Sequence, residues 1–374
     1  MVKKRINILG VTGSIGQSTV KVILSAPEKF DVHVISAHTQ RDELLDLQKK
    51  LDATHAICTH DDDGAARLND VLQESVDLTV SAITGFAGLR PLLTAIQFSK
   101  AVGIANKEPL VAAGPLVIKT CRAHSTKILP IDSEHNAIFQ VFNEKQRAGI
   151  ERIILTASGG PFREWSIEQM REATPEQAVA HPNWSMGQKI SVDSASMMNK
   201  ALEVIEAHYL FDMPSDKIDV LVHPQSVVHS MVEYADGSVL SQMGASDMCT
   251  PIAYALGWPD RIATPGERLD LASMSALSFE ALDDKKFPAV RLAKACIEKG
   301  LSACIALNAA NEIAVDAFLN RQIGFLDIID CVQHSLDGLD SGSKNIDKEL
   351  HLEDIEALDM DIRANATKYI KITH

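Results

Sequence analysis

The chain reads as an α/β protein in three parts: an N-terminal parallel sheet covered by helices, a central α+β domain and a C-terminal helical domain. Three observations predict this. Residues 1–131 alternate short β-rich runs with helically periodic stretches, the pattern of a parallel sheet covered on both faces. After Asp132 the pattern changes to strands that include a hairpin, with helices between them. From Ala289 onward it is helical, with no clear strand. The expected boundaries are 1–131, 132–257 and 289–374, with the Pro-rich, weakly periodic stretch 258–288 as a linker.

The six N-terminal strands are expected at Ile6–Leu9, Val32–Ser36, Ala56–Cys58, Val76–Ala82, Val102–Ala105 and Ile128–Ile131. Leu44, Leu45, Gln48 and Leu51 show the helical spacing between them. In the central part Ile153–Ala157 and Asp219–Val222 read as strands. Val227–Tyr234 and Ser238–Met243 flank Ala235-Asp236-Gly237 as an antiparallel hairpin.

Composition narrows the function. The 374 residues suit two or three domains, and 46% hydrophobic residues suffice for packed cores. A formal net charge of −14 argues against a nucleic-acid partner, because phosphate backbones require clustered Lys and Arg. A local basic pocket for a small anion remains compatible with it. No apolar run approaches the ~18 residues of a membrane span. Lys3, Lys4 and Arg5 precede only a short apolar stretch that enters a Gly-rich turn, so a first strand is a better reading than a signal peptide. The six cysteines are scattered, with no CxxC pair, which fits reduced thiols in a cytoplasmic protein.

The first motif is GVTGSIG, from Gly10 to Gly16, between the first strand and a helix beginning about Gly16. Its glycines permit a tight turn and close approach of backbone N–H groups to a pyrophosphate. Thr12, Ser14 and Ile15 add donors and a wall, with Gly13 at the centre. The spacing is a variant of the usual fingerprint, and its place in the first βα unit points to a Rossmann-like domain. No carboxylate stands at the end of the second strand, where Ser36, Ala37, His38, Thr39, Gln40 and Arg41 follow one another. A hydroxyl, a His and an Arg there suit a 2′-phosphate, hence NADPH; the alternative is that Arg41 merely starts a solvated helix face.

Two segments offer carboxylates. Asp132 and Glu134 follow an apolar strand; in extended backbone they would point to one side, and so close a pair calls for a cation or a proton. The same residues also suit a helix N-terminus, with Asp132 or Ser133 as cap. In the helix that follows Met197, Asn199 and Lys200 lie four and three residues before Glu203, on one face. That face could join phosphate-binding groups to a metal-binding carboxylate, or it could be a plain Lys–Glu pair. All-oxygen ligation selects Mg²⁺ or Mn²⁺ rather than zinc.

Other polar segments are less specific. Ser158-Gly159-Gly160 after a strand suits a phosphate nest or an ordinary turn. His181-Pro182-Asn183-Trp184-Ser185-Met186-Gly187 suits a mobile lid, or a loop whose Trp anchors packing. Ser194 could cap the helix carrying Asn199 or hold an anion. His223 and His229 flank Pro224-Gln225-Ser226 near the hairpin.

Taken together and in order, these segments resemble the 1-deoxy-D-xylulose 5-phosphate reductoisomerase family. The carriers are GVTGSIG (10–16), ANKEPLV (105–111), LPIDSEHNAIFQ (129–140), TASGGPF (156–162), the run from His181 to Ala207, HPQSVVHSMVEY (223–234) and LNAANEIAV (307–315). The resemblance implies NADPH and one Mg²⁺ or Mn²⁺ ion, with Co²⁺ as a further candidate. It also implies a small phosphorylated sugar substrate and a homodimer. It makes 132–257 the catalytic, metal- and substrate-binding domain. Asp132, Glu134 and Glu203 would be the metal ligands. Ser158, Ser194, Asn199 and Lys200 would bind the substrate phosphate, with His181 lining that pocket. Ser133 would meet a substrate hydroxyl, Trp184 and Met186 would form the lid, and His229 would lie close by. Asn106, Lys107 and Glu108 would sit near the nicotinamide and substrate, with Gly187 and Met248 bordering the cofactor. One departure stands out: many members carry Gly-Lys-Asn where this chain has His38, Thr39 and Gln40, so the Lys that helps hold the 2′-phosphate is missing.

The implied reaction is rearrangement and reduction of 1-deoxy-D-xylulose 5-phosphate to 2-C-methyl-D-erythritol 4-phosphate, in the non-mevalonate isoprenoid route. Two rival functions make different demands. A dehydrogenase on the same plan would need a catalytic Cys, or a Lys–Asp or His pair, and no Cys sits in a recognisable nucleophile motif. A non-catalytic NADP-binding sensor would have degraded ligands, and all three carboxylates are present.

Overall fold

The computed structural model describes residues 3–184, 186–274, 276–339 and 351–373. The chain divides into two compact units. The first comprises Met1–Pro109, Val117–Gln140 and Met243–Leu269; the second comprises Leu110–Leu116, Val141–Gln242 and Asp270–His374.

The first unit is built on six parallel strands, β1 (Lys4–Leu9), β2 (Phe30–Ala37), β3 (His55–Cys58), β4 (Val76–Ser81), β5 (Ser99–Ile104) and β6 (Lys127–Pro130). They lie in the order β3-β2-β1-β4-β5-β6. Their apolar runs are nearly continuous because helices cover both faces, so residues of both parities are buried. The strand order reverses between β1 and β4, and such a switch point opens a crevice at the carboxyl ends of the strands. All six expected strands are present, within three residues of their predicted ends. The first helix begins earlier than expected, at Ser14.

The second unit contains a mixed sheet of β7 (Ile150–Ala157), β8 (Ile218–Val222), β9 (Val228–Tyr234), β10 (Val239–Met243) and β11 (Glu280–Ala281), in the order β10-β9-β7-β8-β11. β7 pairs parallel with β8 and antiparallel with β9. The β9–β10 hairpin turns at Gly237, whose φ of +84° favours glycine, and the Asp236 carboxylate accepts from the Ser238 N–H at 2.9 Å. Helices Ala289–Lys299, Leu301–Leu319, Asp327–Asp337 and Leu352–Thr373 complete this unit around one apolar core.

Four expectations need revision. The helical part 289–374 is not a separate domain, because it shares the second unit and its apolar core with the central sheet. The stretch 258–288 divides between the units. Its first part continues from helix Cys249–Gly257, which packs on helix Ser14–Ser25, and its last part supplies β11 at a sheet edge. So short a strand has no periodicity to read. Residues 132–140 belong with the parallel sheet, because helix Ser133–Val141 follows β6 almost at once. Helix Leu301–Leu319 is the one described helix long and apolar enough to cross a membrane. Asn308, Asn311, Glu312 and Asp316 hide its length in the sequence, and 78% of its apolar window is buried within its unit, as in a core helix.

Candidate active site

In the first unit the glycine turn is fixed by steric need. A Cβ on Gly10 would lie 2.5 Å from the Ala82 carbonyl oxygen, and φ there is +83°. A Cβ on Gly16 would meet the Gly10 carbonyl oxygen at 2.4 Å. Gly13 has ordinary room and precedes the helix, whose N-terminus has no side-chain cap. Thr12, Ser14 and Ile15 line this turn with uncapped helical N–H groups beside them, a geometry suited to phosphate. The turn is tied to β2: the Gly10 and Val11 N–H groups donate to the Ser36 carbonyl at 3.0 and 2.8 Å. Ser36 and Ala37 are buried, whereas His38 is exposed at the strand end. Arg41 opens the next helix and forms an ion pair with Asp61.

Further along the same edge, the Asn106 amide donates to the carbonyls of Ile83 (2.5 Å) and Gly85 (3.0 Å), which holds the segment after β4. Lys107 is buried, with its ammonium 3.1 Å from Asp132. Glu108, also buried, begins the next helix. Asp132 directly precedes helix Ser133–Val141, and Glu134 lies in its first turn. The two carboxylates are therefore not alternate residues of a strand; β6 ends at Pro130 and the backbone turns helical. The helix-terminus alternative is the one observed, and the helix dipole favours both anions. Asp132 accepts from the Ser133 N–H at 3.1 Å and stands 3.4 Å from His135 Nδ1. The Ser133 hydroxyl donates to Glu134 at 2.6 Å. Met248 precedes helix Cys249–Gly257 and packs against the first unit's core.

The second unit assembles a different polar group. Gly159 and Gly160 follow β7 with φ of +86° and +66°, and a Cβ on Gly160 would lie 2.7 Å from the Ser194 carbonyl oxygen. The two glycines thus bring the Ser158 turn against the backbone at Ser194. His181 Nδ1 accepts the N–H groups of Asn183 (3.1 Å) and Trp184 (3.0 Å). In neutral His181 the proton is then on Nε2, which donates to the Ser158 hydroxyl oxygen at 2.9 Å. That oxygen also accepts from the Gly160 N–H at 3.1 Å. The Ser158 O–H is left to donate, as an anion site requires. The Asn183 amide donates to the Pro224 carbonyl at 2.6 Å, and Trp184 lies 6.1 Å from the His229 ring. His181, Trp184 and Met186 line an open recess of about 450 Å³.

Ser194 lies within helix Gln188–Ala195, which Gly187 precedes, so Ser194 does not cap the next helix. Met197, at φ +62°, breaks the chain between the two helices, and the Ser196 hydroxyl accepts from the Met198 N–H at 3.3 Å. In helix Met198–Phe211 the Lys200 ammonium bonds Glu203, and the Asn199 amide donates to its other oxygen at 2.5 Å. Glu203 is wholly buried, and these partners stabilise its charge. His223, also buried, stacks 4.6 Å from Phe279, and its Nδ1 lies 2.8 Å from the Ser278 carbonyl.

Sequence reading missed a buried link in this unit. The Asn311 amide donates to the Asp193 carboxylate at 2.8 Å, and Lys189 pairs with the same carboxylate at 2.8 Å. Asp193 is the neighbour of Ser194 in sequence, and Asn311 belongs to the LNAANEIAV run, whose polar residues on a core helix were the available signal. A group of potential ligands, His33, His55 and Glu74, already has a fixed cation beside it: the Arg5 guanidinium lies 2.8 Å from His33 and 2.7 Å from Glu74. Burial pushes the thiols of Cys121 and Cys296 up to about 12 and those of Cys249 and Cys331 to about 11, the reverse of a nucleophile's needs.

The doubly wound sheet with a glycine turn at its switch point defines the first unit as a dinucleotide-binding domain of the oxidoreductase type. Family models give the particular assignment. That for 1-deoxy-D-xylulose 5-phosphate reductoisomerase matches residues 6–75 and 63–114. Its C-terminal domain model matches 128–211, and a second C-terminal domain model matches 243–365. The enzyme of that name from Rhodospirillum centenum is 49% identical over 385 residues, covering 98% of this chain and 94% of the relative. The Zymomonas mobilis enzyme is 46% identical, covering 97% of each. A crystal structure of a DOX-P reductoisomerase with NADPH, fosmidomycin and magnesium superposes with a TM-score of 0.93 at 44% identity, covering 99% of both chains. This chain belongs to the 1-deoxy-D-xylulose 5-phosphate reductoisomerase family.

Proposed function

We infer that the chain catalyses the NADPH- and divalent-metal-dependent rearrangement and reduction of 1-deoxy-D-xylulose 5-phosphate to 2-C-methyl-D-erythritol 4-phosphate, in non-mevalonate isoprenoid biosynthesis. The observation that carries this reading is full-length similarity, at 49% identity, to a relative of that name. The chemistry of the donor set agrees with a hard cation, since Asp132, Glu134 and Glu203 offer only oxygen. When bound, the ion (Mg²⁺, Mn²⁺ or Co²⁺) supplies Lewis-acid polarisation of the substrate oxygens, and NADPH supplies the hydride.

The chain's own groups then divide the work. Ser158, Ser194, Asn199 and Lys200 bind the substrate phosphate, with His181 fixing the Ser158 hydroxyl as a donor. Binding energy won at this remote phosphate orients the reacting carbons. Trp184 and Met186 cover the substrate and exclude water. Ser133 bonds a substrate hydroxyl, and His229 backs the lid through Trp184. Gly10, Thr12, Gly13, Ser14, Ile15 and Gly16 cradle the cofactor's pyrophosphate. Ser36, Ala37 and His38 flank its ribose. Asn106, Lys107, Glu108, Gly187 and Met248 border its nicotinamide. The protein works as a homodimer, as the resemblance implies, and its scattered, reduced thiols suit the cytoplasm; light scattering of the purified chain checks the dimer.

The test follows NADPH absorbance with Mn²⁺ and 1-deoxy-D-xylulose 5-phosphate, beside Glu203→Ala. Metal-dependent consumption should fall at least ~100-fold in the variant, the usual scale for losing a group that stabilises developing charge. Absence of turnover by the folded, unaltered protein with both NADPH and NADH would refute the reading.

A further inference from the structure

We propose that His38 and His60 together form the 2′-phosphate clamp that makes this chain prefer NADPH to NADH, and that Arg41 is not a ligand of that phosphate. The inference rests on the cofactor reading above and assigns its specificity. In a doubly wound nucleotide domain the ribose lies beyond the carboxyl end of the second strand. Here β2 ends at Ala37, one residue past Ser36, whose carbonyl and hydroxyl hold the glycine turn. His38 is therefore the first exposed side chain beside the turn.

The neighbouring strand end brings its partner. The Thr59 N–H donates to the Ala37 carbonyl at 2.9 Å and the His60 N–H to the His38 carbonyl at 3.0 Å, so the ladder of β2 and β3 continues past both strands. This places the two imidazoles 5.4 Å apart, edge to face, both exposed. His38 Nδ1 is 3.0 Å from the Thr59 hydroxyl. The single Thr59 hydroxyl proton has two acceptors, His38 Nδ1 and, at 3.4 Å, the Ala37 carbonyl; in the tautomer where it goes to the closer His38, the Nε2–H is left for an anion.

Arg41 looks like the stronger candidate by composition. However, its guanidinium is committed to Asp61, and the bond raises the pKa of Arg41 and lowers that of Asp61. The pair has no net charge. Arg41 thereby masks a carboxylate that would otherwise repel a 2′-phosphate and suit the free ribose hydroxyls of NADH. Thr39 and Gln40 are also exposed here, but the histidine pair brings two ring N–H donors together from two strand ends, and it stands in for the missing Lys.

The test is direct binding of NADPH and of NADH to the whole protein without substrate, by quenching of intrinsic fluorescence. Thermal melting of each variant confirms folding; all the substituted side chains lie at the surface. His38→Ala and His60→Ala should each weaken NADPH binding roughly tenfold, the scale of a lost hydrogen bond to a charged group, and NADH binding by much less. The double variant Arg41→Ala with Asp61→Ala should keep the preference for NADPH within about threefold, because a neutral pair is removed. Equal weakening of both cofactors by the histidine variants would overturn the proposal, as would collapse of the preference in the double variant. If the unaltered protein binds neither cofactor, the cofactor reading itself fails; NADPH binding with unchanged selectivity in the histidine variants sinks only the clamp.

Discussion

In the first unit Asp132 and Glu134 stand at the start of a helix, where the dipole favours anions, and Asp132 remains 14% exposed. In the second, Glu203 lies in the middle of a helix, fully buried and beyond help from either helix end. Its charge depends on Lys200 and Asn199. Backbone geometry adds to the side-chain support of the first pair of carboxylates from Lys107 and Ser133, whereas the third has side-chain neighbours and no helix end. The two units thus hold their carboxylates by two different physical devices, with different sensitivity to mutation.

The largest expected effect tests that contrast. Lys200→Met strands a buried carboxylate and should lower unfolding stability by about 3–5 kcal/mol in urea melts. Adding Glu203→Gln should restore much of the loss. Lys107→Met, next to the dipole-supported Asp132, should cost less, about 1–2 kcal/mol, as for a lost hydrogen-bonded partner of a charged group. Equal losses for the two lysine variants would break the comparison.

A smaller effect sharpens it. Asn311→Ala removes one partner of the buried Asp193 and leaves Lys189 in place, so a loss of about 1–3 kcal/mol is expected. Because Asp193 precedes Ser194 in the same helix, KM for the phosphorylated substrate should rise more than kcat falls. A pure stability loss with unchanged kinetics would show that this link does not position the phosphate group.

Much of this was legible. The six parallel strands announced themselves through apolar runs separated by helical periods, and Gly10–Gly16 marked the switch-point turn. The i, i+3 and i, i+4 spacing around Glu203 foretold the bonds from Lys200 and Asn199. What was illegible depended on tertiary context. The helix start at Ser133 is not among these, since Asp132, Ser133 and Glu134 suit a cap and first turn as well as a strand face. Ser194 looked like a cap because the break at Met197 requires a left-handed residue, which sequence rarely signals outside Gly and Asn. The edge strand Glu280–Ala281 exists only because β8 offers it a partner. The Asn311–Asp193 bond joins residues far apart in sequence. The sequence leaves Arg41 open to a phosphate, and only the fold supplies Asp61 as its partner.

The smallest expected effect lies at the amino ends of β1 and β2, where the first unit does bury an ionisable group away from any helix end. His33 is 1% exposed, and burial lowers its pKa. The charge of Arg5 and the nearby His55 push the same way, against the opposing pull of Glu74. The folded chain therefore resists protonating His33, while the unfolded chain takes up that proton near the ordinary histidine value of about 6.5. Above that pH both states are neutral at His33 and its contribution is complete. As pH falls below it the unfolded state binds more protons and stability declines, by no more than ~1.4 kcal/mol per pH unit for one group. Urea midpoints measured between pH 7.5 and 5.5 should show this decline, and His33→Gln should flatten it. A decline of the same slope in the variant would assign it to other groups.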